Sequence, residues 1–266
     1  MNEVRGWSRW KGLWARLGRG SLALVLGTVI GVPPGCGAEP GPPPNASAGG
    51  AHASDPHAAR RRLMIDEQLR ARDITDPRVL EVMGRVPRHR FVPAEMVGAA
   101  YEDRPLPIGH GQTISQPYVV ALMTQVVRPT AETRALDVGT GSGYQAAILG
   151  ELCQEVYSIE ILRPLAEQAQ QRLAEMGYRN IEVREGDGYR GWPEKAPFDV
   201  IVVAAAPGAI PQPLIDQLAP GGRLVIPVGR HHQELLLLEK RPDGSVTQKS
   251  IAPVSFVPMT GEAERK

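Results

Sequence analysis

Residues 135–144 read Ala135-Leu136-Asp137-Val138-Gly139-Thr140-Gly141-Ser142-Gly143-Tyr144. Ala135 to Val138 is a short run of strand type, and apolar residues with helical spacing follow from Tyr144 to Leu152. Between them lie three glycines at alternate positions. Glycines at such a turn let the backbone approach a ligand closely and aim helix N-terminal N–H groups at it. A dinucleotide-binding turn would need its third glycine at position 144, and Tyr144 stands there. The nicotinamide fingerprint is therefore broken.

Working toward the C-terminus, strand-type runs at Val156 to Glu160, Ile181 to Arg184, Val200 to Val203 and Arg223 to Val228 alternate with helical stretches at Pro164 to Met176 and Pro213 to Leu218. Strands alternating with helices of this length predict an α/β fold: a doubly wound, mostly parallel sheet covered on both faces. Ligand is then expected at the carboxyl ends of the strands. Leu235 to Lys240 and Val246 to Phe256, around Pro242-Asp243-Gly244, predict a hairpin that adds antiparallel strands at one edge.

Working toward the N-terminus, Gln116 to Val127 predicts a helix, and the prolines and glycines of Tyr101 to Gly111 predict a shaped loop. Apolar residues at Leu63, Ile65 and Leu69, then at Val79, Leu80, Val82 and Met83 after Asp76-Pro77, predict a helical preface. Residues 36–57 are mostly Gly, Pro, Ala and Ser, too poor in large apolar groups to offset the entropy of ordering, and are expected to be a tether. Residues 1–35 carry five basic residues against Glu3, an excess of four positive charges, and then an apolar run from Ser21 to Val32. That order is signal-like. Residues 58–266 are expected to form a single catalytic domain.

The net charge of +1 over 266 residues offers no basic field for nucleic acid. Cys36, Cys153 and the six histidines show no metal-ligand spacing, so neither a metal nor a disulfide framework is expected.

Three acids fall at three successive strand ends: Asp137 before the glycines, Glu160, and Asp187 in Gly186-Asp187-Gly188. An acid ending the second strand can accept from ribose hydroxyls, and one after the third from an adenine amino group. Helix capping by Asp137 and Glu160 is the alternative. Jointly with the glycine loop, the acids outline one nucleoside.

The arrangement resembles the S-adenosylmethionine-dependent methyltransferases of the Rossmann-like, class I type. That resemblance implies that Gly139, Thr140, Gly141, Ser142 and Gly143 cradle the methionine part with Asp137 close by, while Glu160 takes the ribose and Asp187-Gly188 the adenine. Tyr101-Glu102-Asp103, Pro105-Leu106-Pro107-Ile108-Gly109 and Gly111-Gln112-Thr113-Ile114-Ser115-Gln116-Pro117-Tyr118 are similar to the signature of the protein-L-isoaspartate O-methyltransferase family. Val86-Pro87-Arg88-His89-Arg90-Phe91-Val92, Pro197-Phe198-Asp199, Ala205-Ala206-Pro207, Pro220-Gly221-Gly222, Pro227-Val228-Gly229 and Phe256-Val257-Pro258 carry the similarity across roughly residues 60 to 260. Membership would imply methylation of the free α-carboxyl of L-isoaspartyl residues in damaged proteins and peptides. The ester then closes to a succinimide whose hydrolysis partly restores aspartate.

Under that resemblance Ser115 is the catalytic residue, with Gln112, Thr113 and Ile114 around cofactor and acceptor. A helix N-cap before Gln116-Pro117 is the other reading of Ser115. Ala204 stands where the family often has Thr and is left out of the site. Thr260 and His110 are expected to be solvated, and Cys153 to be a small buried hydrophobe. A monomer working in the cytoplasm is expected, since the donor is supplied there, with export or a lipid anchor on Cys36 as the alternative. Two other functions stay open on the residues alone: a nicotinamide-dependent oxidoreductase, and a membrane-tethered nucleoside-binding module without activity.

Overall fold

The computed structural model describes residues 55–265. The leader expected over 1–35, Cys36, and the tether expected over 36–57 as far as residue 54 lie outside the described residues. Helix α1 (Ala58–Leu63) runs directly into a π-helical stretch, Met64–Arg70, which buries Met64, Ile65 and Leu69. Helix α2 (Pro77–Arg85) starts where the Asp76 side chain accepts from the Arg78 amide at 2.9 Å, with Pro77 at its first position. Its Val79, Leu80, Val82 and Met83 form the buried stripe that the spacing predicts.

Residues 101–111 are more ordered than a loop. β1 (Leu106–Gly109) and β2 (Gln112–Ile114) pair antiparallel as a small hairpin, with Leu106, Ile108 and Ile114 buried. The prolines hide this from a sequence reading, because they punctuate the run while remaining compatible with an edge strand. Its tip turns through Gly109, His110 and Gly111 at φ 89°, 51° and 70°. Helix α3 (Pro117–Val127) follows.

The main sheet holds seven strands. β3 (Arg134–Val138) leads through the glycine loop to α4 (Tyr144–Gly150), and β4 (Glu155–Glu160) leads to α5 (Arg163–Glu175). β5 (Ile181–Glu185), β6 (Phe198–Val203), α6 (Gln212–Asp216) and β7 (Leu218–Val228) complete the parallel part. β8 (Gln233–Lys240) and β9 (Val246–Val254) add the antiparallel edge. The order is β5-β4-β3-β6-β7-β8-β9, so the chain reverses its direction of travel across the sheet between β3 and β6. That is where an open α/β sheet forms its binding crevice. One boundary shifts: Leu218, read as helical, begins β7, and the register slips between Phe198 and Val200 to take in Pro220-Gly221-Gly222.

Alternation along β6 shows that both faces are covered. Val200 and Val202 join the core under the preface, α3, α4 and α5, while Ile201 and Val203 join Leu214, Trp192 and Met259 on the other side. Ile201 is fully buried in the middle of this second core. Ile201→Ala is expected to cost about 2–5 kcal/mol, read as a lower urea midpoint with an unchanged m-value.

Candidate functional site

An open cleft lies at the carboxyl ends of β3, β4 and β6. The glycine loop forms its floor. Gly139, Gly141 and Gly143 sit at φ 91°, 51° and 87°, values an L side chain adopts only with strain. Gly139 also lies against Ala204 at the end of β6, where an added Cβ would stand 3.7 Å from the Ala204 Cβ. Gly139, Thr140, Gly141, Ser142, Glu160 and Gly188 all line the cleft, joined by Gln112, Thr113, Ile114 and Ser115 from β2 and the turn after it. The structure thus brings together ten of the expected site residues from four separate stretches of chain.

Gly143, Asp137 and Asp187 are not on the lining. Gly143 is the N-cap residue of α4 and is packed against α5, where an added Cβ would meet Ala169 and Leu173 at 3.4 Å. Asp137 is fully buried; its Oδ2 accepts from Ser158 Oγ at 2.7 Å, and that hydroxyl lies 2.6 Å from Thr140 Oγ1. Its Oδ1 has no partner among the described residues. Burial lifts the Asp137 carboxyl to about 7, with the Ser158 hydrogen bond pulling down and the Glu160 charge pushing further up. Asp187 is taken up by backbone: Oδ1 accepts from the Tyr189 amide at 3.0 Å and Oδ2 from the Glu262 amide at 2.8 Å. It therefore anchors the turn that places Gly188, together with the C-terminal segment.

Glu160 lines the cleft without capping a helix, since the N-cap of α5 is Leu162 and takes no side-chain cap bond. Its Oε2 accepts from the Gly141 amide at 2.8 Å and its Oε1 from the Leu162 amide at 3.0 Å. Each oxygen keeps a second lone pair for a ligand hydroxyl.

The capping reading of Ser115 fails. The N-cap of α3 is Gln116, without a side-chain cap bond, and the Tyr118 amide donates instead to Asp103 Oδ1 at 3.1 Å. Only the Ser115 carbonyl is engaged, by Arg88 Nη2 at 2.7 Å; its hydroxyl has no partner among the described residues. A second cleft, lined by Arg72, Tyr118 and residues 252–257, meets the first at Thr113, Ser115, Ala204 and Val257, which line both.

Several lining residues were not expected. Ala204, which carries no hydroxyl, follows β6 directly, lines the cleft, and its amide donates to the Val138 carbonyl at 2.8 Å. His110 and Thr260, expected to be solvated, also line the first cleft, His110 while exposed at its mouth. Ile161 and Leu162 follow Glu160 directly, and Val257 to Met259 come from the C-terminal segment. The Phe256-Val257-Pro258 motif was the available signal for that segment. Cys153 is buried as expected, and burial pushes its thiol up to about 12. Among the described residues there is no group of His, Cys, Asp and Glu arranged to hold a metal, and no helix is long and apolar enough to cross a membrane.

A glycine floor, a carboxylate at the second strand end and an apolar wall of Val138, Ile159 and Leu162 fit a nucleoside that carries a polar tail. The comparisons agree. The model of the protein-L-isoaspartate(D-aspartate) O-methyltransferase (PCMT) family matches residues 59–264. A protein-L-isoaspartate O-methyltransferase of Synechococcus sp. is 59% identical over 215 residues, covering 78% of this chain and 88% of its own. Protein-L-isoaspartate O-methyltransferase 2 of Syntrophobacter fumaroxidans is 56% identical, covering 81% and 92%. A solved Plasmodium falciparum structure, described as a beta-aspartate methyltransferase (PCMT) in complex with S-adenosyl-L-homocysteine, superposes with a TM-score of 0.67 at 26% identity, covering 76% of this chain and 98% of that one. The nicotinamide-dependent reading finds no support, and Tyr144 is buried against Phe91 where that reading needs glycine. Fold, glycine loop and matched length agree on one assignment: the chain belongs to the protein-L-isoaspartate(D-aspartate) O-methyltransferase family.

Proposed function

We propose that this protein transfers the methyl group of S-adenosylmethionine to the free α-carboxyl of L-isoaspartyl residues in damaged proteins and peptides, acting as a monomer. The observation that carries this reading is the place of Ser115, whose hydroxyl is unengaged among the described residues and which lines both clefts where they meet. The first cleft suits the donor and the second, flanked by the extended chain of 252–257, suits a polypeptide acceptor. When bound, S-adenosylmethionine supplies a methyl already activated on a sulfonium, so the protein's task is alignment.

The glycine loop cradles the methionine part, with Asp137 buried beneath the loop. Glu160 accepts from the ribose hydroxyls through its remaining lone pairs, and the Gly188 turn, anchored by Asp187, meets the adenine. Gln112, Thr113 and Ile114 frame donor and acceptor from the hairpin. A carboxylate acceptor is ionised near neutral pH, so no strong base is required. Ser115 Oγ donates a hydrogen bond that points the acceptor oxygen at the methyl.

The cytoplasm, where the donor is supplied, is the compartment this chemistry favours. Mass spectrometry of the mature N-terminus checks it: an unmodified chain is expected, and a lipid on Cys36 would move the enzyme outside. Labelled methyl from S-adenosylmethionine is expected on an isoaspartyl peptide and not on its aspartyl twin; label on neither, with the donor bound, would leave a binding module. Ser115→Ala is expected to lower turnover by about 10–100-fold, the loss of one hydrogen bond to a charged group, while donor affinity stays put.

Asp137 adds a pH signature to the ligand-free protein. Below its ordinary value of 3.8 both folded and unfolded chains hold the proton; between there and about 7 the unfolded chain releases it first. The group's contribution is therefore full at low pH and is lost as pH rises to about 7. Asp137→Asn stays neutral throughout, so its stability relative to the parent protein is expected to climb across that window and level off above it in urea titrations.

A further inference from the structure

Arg88 is fully buried, in the 3-10 turn Arg88–Phe91, and no carboxylate pairs with it among the described residues. Its Nε donates to the Ala100 carbonyl at 2.8 Å and its Nη2 to the Ser115 carbonyl at 2.7 Å. Its guanidinium carbon stands 4.9 Å from the centre of the Tyr144 ring, and Nη1 has no partner among the described residues. Desolvating a cation without a counter-ion is costly, and an apolar side chain would fill the same space without that cost. The cost is concentrated on one connection. Ala100 lies before the β1–β2 hairpin, Ser115 lies after it, and Tyr144 is the first residue of the helix that follows the glycine loop.

We propose that Arg88 is a positioning residue for methyl transfer, which fixes the main chain of Ser115 relative to both the hairpin and the donor cleft. The inference rests on the reading of Ser115 given above. A planar guanidinium presents its donors in a rigid fork, so two carbonyls held by one side chain are held at a set separation. The charge-assisted bond to the Ser115 carbonyl sets the plane of the Ser115–Gln116 peptide, and through it the direction of the Ser115 Cα–Cβ bond. A hydroxyl held that way can meet an acceptor carboxylate without first being ordered. Loss of the fork leaves Ser115 present and poorly aimed, and displacements of about 1 Å at such groups cost on the order of a hundredfold in rate. Lysine keeps the charge and loses the fork, while glutamine keeps a single donor nitrogen and loses the charge.

The test uses the full chain carrying Arg88→Lys or Arg88→Gln, each alone and combined with Ser115→Ala. Turnover and KM on an isoaspartyl peptide, S-adenosylhomocysteine affinity and thermal midpoint are measured for all. Turnover is expected to fall about tenfold or more in whichever single variant folds, with S-adenosylhomocysteine affinity within about twofold of the parent. The double variant is expected to be no slower than Ser115→Ala alone, because Arg88 acts through that hydroxyl. Turnover unchanged in a folded Arg88 variant, or losses that multiply in the double variant, would overturn the inference. So would a lowered thermal midpoint in both variants with turnover per folded molecule intact. Parent protein that methylates no isoaspartyl peptide would instead overturn the reading of Ser115 itself.

Discussion

Glu160, at the end of β4 and nearly buried, accepts from the Gly141 amide with one oxygen and from the Leu162 amide with the other. One carboxylate thereby ties the loop after β3 to the start of α5. The glycine loop has few other means of holding its shape, because glycines carry no side chains to pack. Its other anchors include the Gly139 and Thr140 amides on the Ile159 carbonyl, the Thr140 hydroxyl on Ser158 and the Ser142 carbonyl on Arg172 of α5. The floor of the first cleft is therefore held from β4 and α5, and Glu160, one of the groups that hold it, lines the cleft. The bonds to the two amides leave each Glu160 oxygen a second lone pair at the cleft.

Beneath that floor the chain has committed polar groups where a core would be apolar. Asp137, Ser158 and Thr140 form a buried chain of hydrogen bonds on the cross-strand pair Asp137–Ser158, ending on a carboxyl oxygen that has no partner among the described residues. Arg88 likewise leaves its buried Nη1 without a partner among the described residues. Buried donors and acceptors left unpaired are expensive and tend to sit where a site has been kept for function. Asp137 lies one residue before Val138, which lines the first cleft, and Arg88 holds the carbonyl of Ser115, which lines both.

The parallel core was legible because its signal is local. Four-residue apolar runs, a glycine turn and helical stretches of ordinary length specify a doubly wound sheet before any contact is known. The β1–β2 hairpin was not legible, since Pro105 and Pro107 read as breaks and a non-glycine residue at positive φ, His110, leaves no mark in a sequence. The same limit applies to the site. The acids at strand ends were found by position, but whether a carboxylate faces the cleft or lies beneath it depends on the sheet face, and one residue decides: Val138 lines the cleft while Asp137 points into the opposite core. Arg88 is the extreme case, because an arginine among Arg90, His89 and Arg85 reads as a solvated run until the packing of α2 and the hairpin buries it. Ala204 lines both clefts although it carries no hydroxyl, a place that only the fold reveals.

The C-terminal segment completes this logic. The Met259 amide donates to the Ala206 carbonyl and the Ala206 amide to the Val257 carbonyl, each within 2.9 Å, so residues 257–259 run as a short parallel bridge beside the end of β6. Beyond it, Gly261 comes so close to Asp187 that an added Cβ would stand 2.7 Å from Oδ2, and the Glu262 amide donates to that same oxygen. Asp187 therefore spends its carboxylate on holding a wall of the cleft in place. The wall contributes Val257 to both clefts and Met259 to the first, apolar groups bordering the region where the proposed transfer would bring a sulfonium and a carboxylate together. Charges of opposite sign attract far more strongly there than in water, and the transfer that neutralises both needs that approach to be dry and straight. An acid at the third strand end can thus serve a nucleoside site by building its boundary as well as by touching the ligand.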